Sequence, residues 1–194
     1  MKRIRQLVLG LSSLLALGAS SIAAAAPVLG GQLYYGGGTV VVETLPVSSG
    51  YVSELWLFDS SFTRLGSSYI ALDEPAGVTV DITSLITGNG LVAGDELIFG
   101  VYVTGSGYTY FMGGAGRNPD NMMHATVDLI STNPLVVANV GFEDLFGGGD
   151  QDYDDNVFQF RGSIQITPEP VPEPATLLLT ALGLLGLGAM RRRS

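Results

Sequence analysis

Glu96-Leu97-Ile98-Phe99-Gly100-Val101-Tyr102-Val103 is the stretch that decides the fold. Successive side chains of an extended segment point to opposite faces, so Leu97, Phe99, Val101 and Val103 form one apolar face and Ile98 and Tyr102 another. A strand covered on both faces belongs at the centre of a sheet. Working outward, Val157-Phe158-Gln159-Phe160-Arg161 puts Phe158 and Phe160 on one side and Gln159 and Arg161 on the other, the pattern of a strand with one wet face. Further short β-branched or aromatic runs lie at 40–42, 52–58, 78–82, 108–111, 125–130 and 135–142, split by glycine, serine and proline, and no apolar period of 3.6 is sustained. Within 52–58, Trp56 and Phe58 face away from Leu55 and Leu57 and are most simply read as core. The expectation is an all-β fold, one antiparallel β-sandwich or jelly-roll-like domain over residues 26–167.

Charge divides the 194 residues into three parts. Residues 27–167 hold sixteen acidic against three basic residues, Arg64, Arg117 and Arg161, a net of −13 with no lysine. Such acidity argues against nucleic acid or anionic lipid as a partner. The other six basic residues sit at the ends, each cluster beside an apolar run. Lys2, Arg3 and Arg5 precede an apolar stretch at 7–17 and the small residues Ala23 to Ala26, the layout of a secretory signal peptide over residues 1–25 with Sec-type export as its route. Cleavage is expected after Ala25, with Ala23 and Ala25 as the small residues of the site, because cleavage after Ala26 would set Pro27 just past the scissile bond. There is no cysteine, although the exported compartment permits disulfides, so something else must hold the domain.

At the other end, alternating prolines through residues 168–174 impose an extended linker. Residues 175–190 are uncharged and rich in leucine and glycine, about 24 Å as a helix and slightly short for a ~30 Å hydrocarbon core. They read as a transmembrane helix followed by a basic cytoplasmic tail, residues 191–194, with the acidic domain outside. The order Val171-Pro172-Glu173-Pro174-Ala175-Thr176-Leu177, then a glycine-spaced apolar segment, then Arg191-Arg192-Arg193, resembles the PEP-CTERM sorting signal. That resemblance implies a Gram-negative exporter and a membrane exosortase that reads Pro172-Glu173-Pro174. It also implies transient anchoring in the inner membrane before release to the cell surface or a biofilm-associated extracellular matrix. A plain C-terminal anchor is the alternative.

The one chemically distinctive segment is Gly147-Gly148-Gly149-Asp150-Gln151-Asp152-Tyr153-Asp154-Asp155-Asn156, with four carboxylates in six residues. Calcium takes six to eight oxygen ligands, and alternating aspartates on a glycine-hinged turn can present several together. Asp150, Asp152 and Asp154 copy the spacing of the first EF-hand ligands, but Asp155 stands where glycine is required and Arg161 where a bidentate glutamate is required. A helix-loop-helix site is therefore rejected. A calcium loop in a β context, completed by Glu143 or Asp144 or by backbone carbonyls, stays open beside a solvated acidic turn and a catalytic carboxylate pair. The only histidine, His124, follows a turn at Asn118-Pro119-Asp120 and is expected to share a polar strand face with Thr126 and Asp128. One nitrogen ligand and no thiol make a poor transition-metal site.

Asn118-Pro119-Asp120, His124-Ala125, Gly141-Phe142-Glu143-Asp144-Leu145 and the acidic run together resemble a domain of unknown function recurrent in bacterial extracellular proteins, over about residues 91–160. The resemblance implies a secreted β-rich module without established catalytic residues. That family commonly places asparagine before the position of Asp155, where this chain has Asp154. The function expected is a non-enzymatic exported surface or matrix protein with calcium in its acidic loop. The alternative is a carbohydrate-binding or adhesive module that meets extracellular polysaccharide through Tyr108 and Tyr110 exposed on one face. A glycoside hydrolase comes last, since there is no Gly-x-Ser-x-Gly elbow and no cysteine nucleophile.

Overall fold

The computed structural model describes residues 26–47 and 49–166. The signal helix and cleavage site expected within residues 1–26 thus lie largely, and the linker, transmembrane helix and tail wholly, outside the described residues. Eleven strands follow in order: β1 (Val28–Leu29), β2 (Leu33–Thr44), β3 (Ser53–Phe58), β4 (Arg64–Leu65), β5 (Ala71–Leu72), β6 (Thr79–Asp81), β7 (Glu96–Val103), β8 (Thr109–Phe111), β9 (Ala125–Ser131), β10 (Val136–Phe142) and β11 (Asn156–Ile166). A single α-helical turn, α1 (Thr83–Gly88), follows β6. Among the described residues no helix is long and apolar enough to cross a membrane.

All pairings are antiparallel, in the order β1-β9-β10-β11-β2-β7-β3-β4, with β6 on β2, β5 on β3 and β8 on β7. The two halves meet at a short join, where Leu33 and Tyr34 of β2 face Leu97 and Glu96 of β7. The sheet then curls over itself: the rings of Phe99 in β7 and Phe160 in β11 lie 4.4 Å apart although β2 separates their strands. The expected sandwich is therefore one sheet whose two halves face each other.

The doubly apolar reading of β7 holds. Leu97, Phe99, Val101 and Val103 point into the main core with Phe142, Phe158 and Phe160, all fully buried. On the opposite face Ile98 joins Trp56, Phe58 and Phe111 in a smaller cluster, so Trp56 and Phe58 are core residues of the outer face and not of the interior. Arg64 reaches over this cluster, its guanidinium 4.4 Å from the Trp56 ring centre and 4.6 Å from that of Tyr102. Two elements differ from expectation. β2 runs twelve residues instead of three, because Gly36 and Gly38 lie so close to Ser163 of β11 that a side chain there would crowd it. Helix α1 is six residues long, too short to show a helical period.

Candidate functional site

The acidic loop connects β10 to β11, neighbours in the sheet. Its first residue, Glu143, continues the line of β10 by donating its N–H to the carbonyl of His124 at 2.9 Å, which carries the side chain into the protein. The chain then turns through Gly147, Gly148 and Gly149 at φ 88°, 79° and 48°, and again at Gln151 and Tyr153 at φ 64° and 59°. Left-handed backbone at non-glycine residues is uncommon and marks a fixed turn. This path folds Asp150 and Asp152 back onto Glu143: one carboxylate oxygen from each of the three lies within 4.8 Å of the others.

Glu143 is fully buried, whereas Asp150 and Asp152 are exposed. One oxygen of Glu143, Oε1, accepts the Tyr153 N–H at 2.8 Å. The other, Oε2, is buried without a hydrogen-bond partner. A Cβ at residue 149 would run into that same oxygen, so glycine is required there for space as well as for φ. Burial, reinforced by the nearby charges of Asp155, Asp150 and Asp152, pushes the Glu143 carboxyl above its usual range against the opposing Tyr153 hydrogen bond.

Of the six acids singled out in the sequence, the structure brings together Glu143, Asp150 and Asp152, and separates the rest. Asp144 is buried on a different network, its Oδ2 accepting from Ser49 Oγ at 2.6 Å and Asn156 Nδ2 at 3.4 Å. Asp155 accepts the Asp144 N–H at 3.2 Å. Asp154 is exposed and only donates its N–H toward Asp152 Oδ1 at 3.4 Å. No arginine pairs with these acids among the described residues: Arg117 is bidentate to Glu96 at 2.7 and 3.1 Å, and Arg161 pairs with Glu43.

His124 corrects the sequence reading. It precedes β9 and is fully buried, not on a polar strand face, since both ring nitrogens find partners inside: Nδ1 lies 3.0 Å from the Glu143 carbonyl and Nε2 2.8 Å from Asp120 Oδ2. Asp120 Oδ2 also accepts the Gly147 N–H at 2.8 Å, which ties the turn of the acidic loop to the 118–124 segment. Burial alone would raise the Asp120 carboxyl, but the Gly147 N–H and His124 bring it below its usual range. Asn118 locks the same segment to β8, accepting the Phe111 N–H at 2.7 Å and donating to the Met122 carbonyl at 2.7 Å. Sequence reasoning saw only a turn at Asn118-Pro119-Asp120. The signal it could have used is the density of short polar residues just ahead of a lone histidine.

Tyr110 is a second correction. It is fully buried with its ring stacked 4.0 Å from that of His124, so Tyr108 and Tyr110 do not form the exposed aromatic pair expected of a glycan site.

A buried carboxylate facing two exposed ones, all oxygen and with no thiol or imidazole among them, suits a hard divalent cation. Together the fold and the loop define a β-rich domain with an acidic turn at one end. Residues 85–163 match the family described as a domain of unknown function (DUF4114), a span that takes in β7, β8, β9, β10 and the whole acidic loop. Residues 170–193 match the PEP-CTERM protein-sorting motif, which includes Pro172, Glu173, Pro174 and Arg191 to Arg193. The chain thus carries a PEP-CTERM sorting motif beside a match to this domain of unknown function, and the motif implies export and recognition by an exosortase. No curated protein and no solved structure matches it.

Proposed function

We propose that the protein is a non-enzymatic component of the cell surface or extracellular matrix whose acidic loop holds a structural calcium ion through Glu143, Asp150 and Asp152. The observation that carries this reading is the Glu143 carboxylate, whose Oε2 is buried with no partner and which offers one oxygen within 4.8 Å of carboxylate oxygens of Asp150 and Asp152. Three like charges this close repel one another, and a buried charge is costly unless it is paired or bound to a metal. A bound calcium would remove both penalties and take the place that disulfides fill in other exported domains. Sec-type export, transient residence in the inner membrane, exosortase cleavage and final deposition outside the cell complete the reading.

Three converging carboxylates favour a cation over the hydrolase alternative, which needs one acid and one base set apart by about 5–10 Å across a cleft. The test is a calcium titration of the full-length chain in detergent, followed by thermal unfolding. The melting temperature is expected to rise with calcium in the wild type and to stay unchanged in Glu143→Gln. A wild-type melting temperature indifferent to calcium would overturn the metal.

A further inference from the structure

Next to the acidic cluster the surface carries an aromatic pair that the sequence did not predict. Tyr108 is 43% exposed and Phe146 58% exposed, with ring centres 5.5 Å apart and planes inclined by 40°. Both rings stand on fixed backbone. The Tyr108 carbonyl accepts the Val103 N–H at 2.9 Å, and Phe146 lies in a turn closed by the Gly148 N–H to the Leu145 carbonyl at 3.0 Å. That turn is pinned to Asp120 through the next residue, Gly147. It also abuts the carboxylate cluster, because Gly149 packs between Glu143 Oε2 and the Leu145 side chain.

We propose that the aromatic pair and the loop cation form one binding site for a neutral saccharide, a reading that rests on calcium occupying the loop. Calcium requires six to eight oxygens. The three carboxylates supply six at most, and two of these, Glu143 Oε1 and Asp152 Oδ1, also accept the N–H groups of Tyr153 and Asp154. A cation held there would be closed on one side by the buried Glu143 and would meet solvent between the exposed Asp150 and Asp152. Adjacent hydroxyls of a sugar ring can complete such a shell while the apolar face of the ring rests on Tyr108 and Phe146, which orient it.

Charge selects among ligands. A domain of net −13 repels polyanionic glycans. A basic peptide is drawn to the same negative charge, but its cationic side chains cannot ligate calcium. A hydroxyl-rich, uncharged ligand meets neither penalty.

The experiment probes the full-length chain in detergent on an array of neutral hexose, deoxyhexose and N-acetylhexosamine oligomers, in millimolar calcium and in chelator, with melting temperatures measured in parallel. Wild type is expected to bind in calcium and to lose binding in chelator. Phe146→Ala and Tyr108→Ala are each expected to weaken binding at least about tenfold while keeping the calcium-dependent rise in melting temperature. If calcium raises the melting temperature but no neutral oligomer binds, or if Phe146→Ala binds as wild type does, the saccharide site is wrong and the structural calcium stands. Binding that survives chelator, or that is confined to basic peptides, overturns it as well. No calcium response in the wild type removes both readings together.

Discussion

The interior between the two sheet halves and the end that carries the acidic loop are built on opposite terms. In the interior, Leu33, Leu97, Phe99, Phe158 and Phe160 are sealed from solvent and their stability needs nothing beyond the side chains themselves. Around the loop, Tyr110 OH, Glu143 Oε2 and Asn156 Oδ1 are buried without hydrogen-bond partners, each a costly group. Burial, and after it the charges of Asp120, Tyr108 and Asp144, push the Tyr110 phenol up to about 12. The difference teaches that apolar packing holds the interior, while the loop end leaves buried polar groups unpaired at a cost to the fold.

The largest effect that can break this contrast comes from the interior. Phe160→Ala removes the ring that meets Phe99 across the curl and is expected to cost about 3–5 kcal/mol, equally with and without calcium. Chemical denaturation in both conditions checks it, and a loss that calcium repairs would mean the two regions are not independent.

A smaller effect comes from protons. Because the folded protein holds the Glu143 proton more tightly than the unfolded chain does, stability is lost as pH rises from the ordinary glutamate range through the raised folded value. Metal-free wild type should therefore gain melting temperature on acidification from neutrality toward that range, relative to Glu143→Gln, and added calcium should abolish the gain. Melting curves across pH for the two proteins measure the difference, and parallel curves would deny Glu143 this role.

The smallest effect sharpens the boundary of the site. Asp154→Asn removes an exposed charge outside the cluster and is expected to change stability by less than about 0.5 kcal/mol, with calcium affinity unaltered. Isothermal titration calorimetry decides it, and a large loss of affinity would return Asp154 to the ligand set.

How much of this was legible depended on what sets each element. β7 was readable to the residue because strict alternation on both faces leaves one register. The first half of β2 was hidden by Gly36, Gly37 and Gly38, whose fitness for a strand depends on how closely β11 approaches, a tertiary fact. The acidic loop announced itself through charge density. Which of its acids converge was decided by left-handed backbone at Gln151 and Tyr153, side chains that give no warning of it. His124 was misread for a related reason: an isolated histidine ahead of a strand carries no signal of depth, and its partners Asp120 and Glu143 come from two different loops.

The position of β11 bears on the journey the sorting signals describe. The last of the described strands lies between β10 and β2, so the strand nearest the sorting motif is also the one that joins the beginning of the domain to its end. One side of β2 has no partner until residues 156–166 are available, and closure of so long a loop is slow. Completion of the sheet thus waits for the segment that directly precedes the sorting motif, and the domain closes on its own last strand.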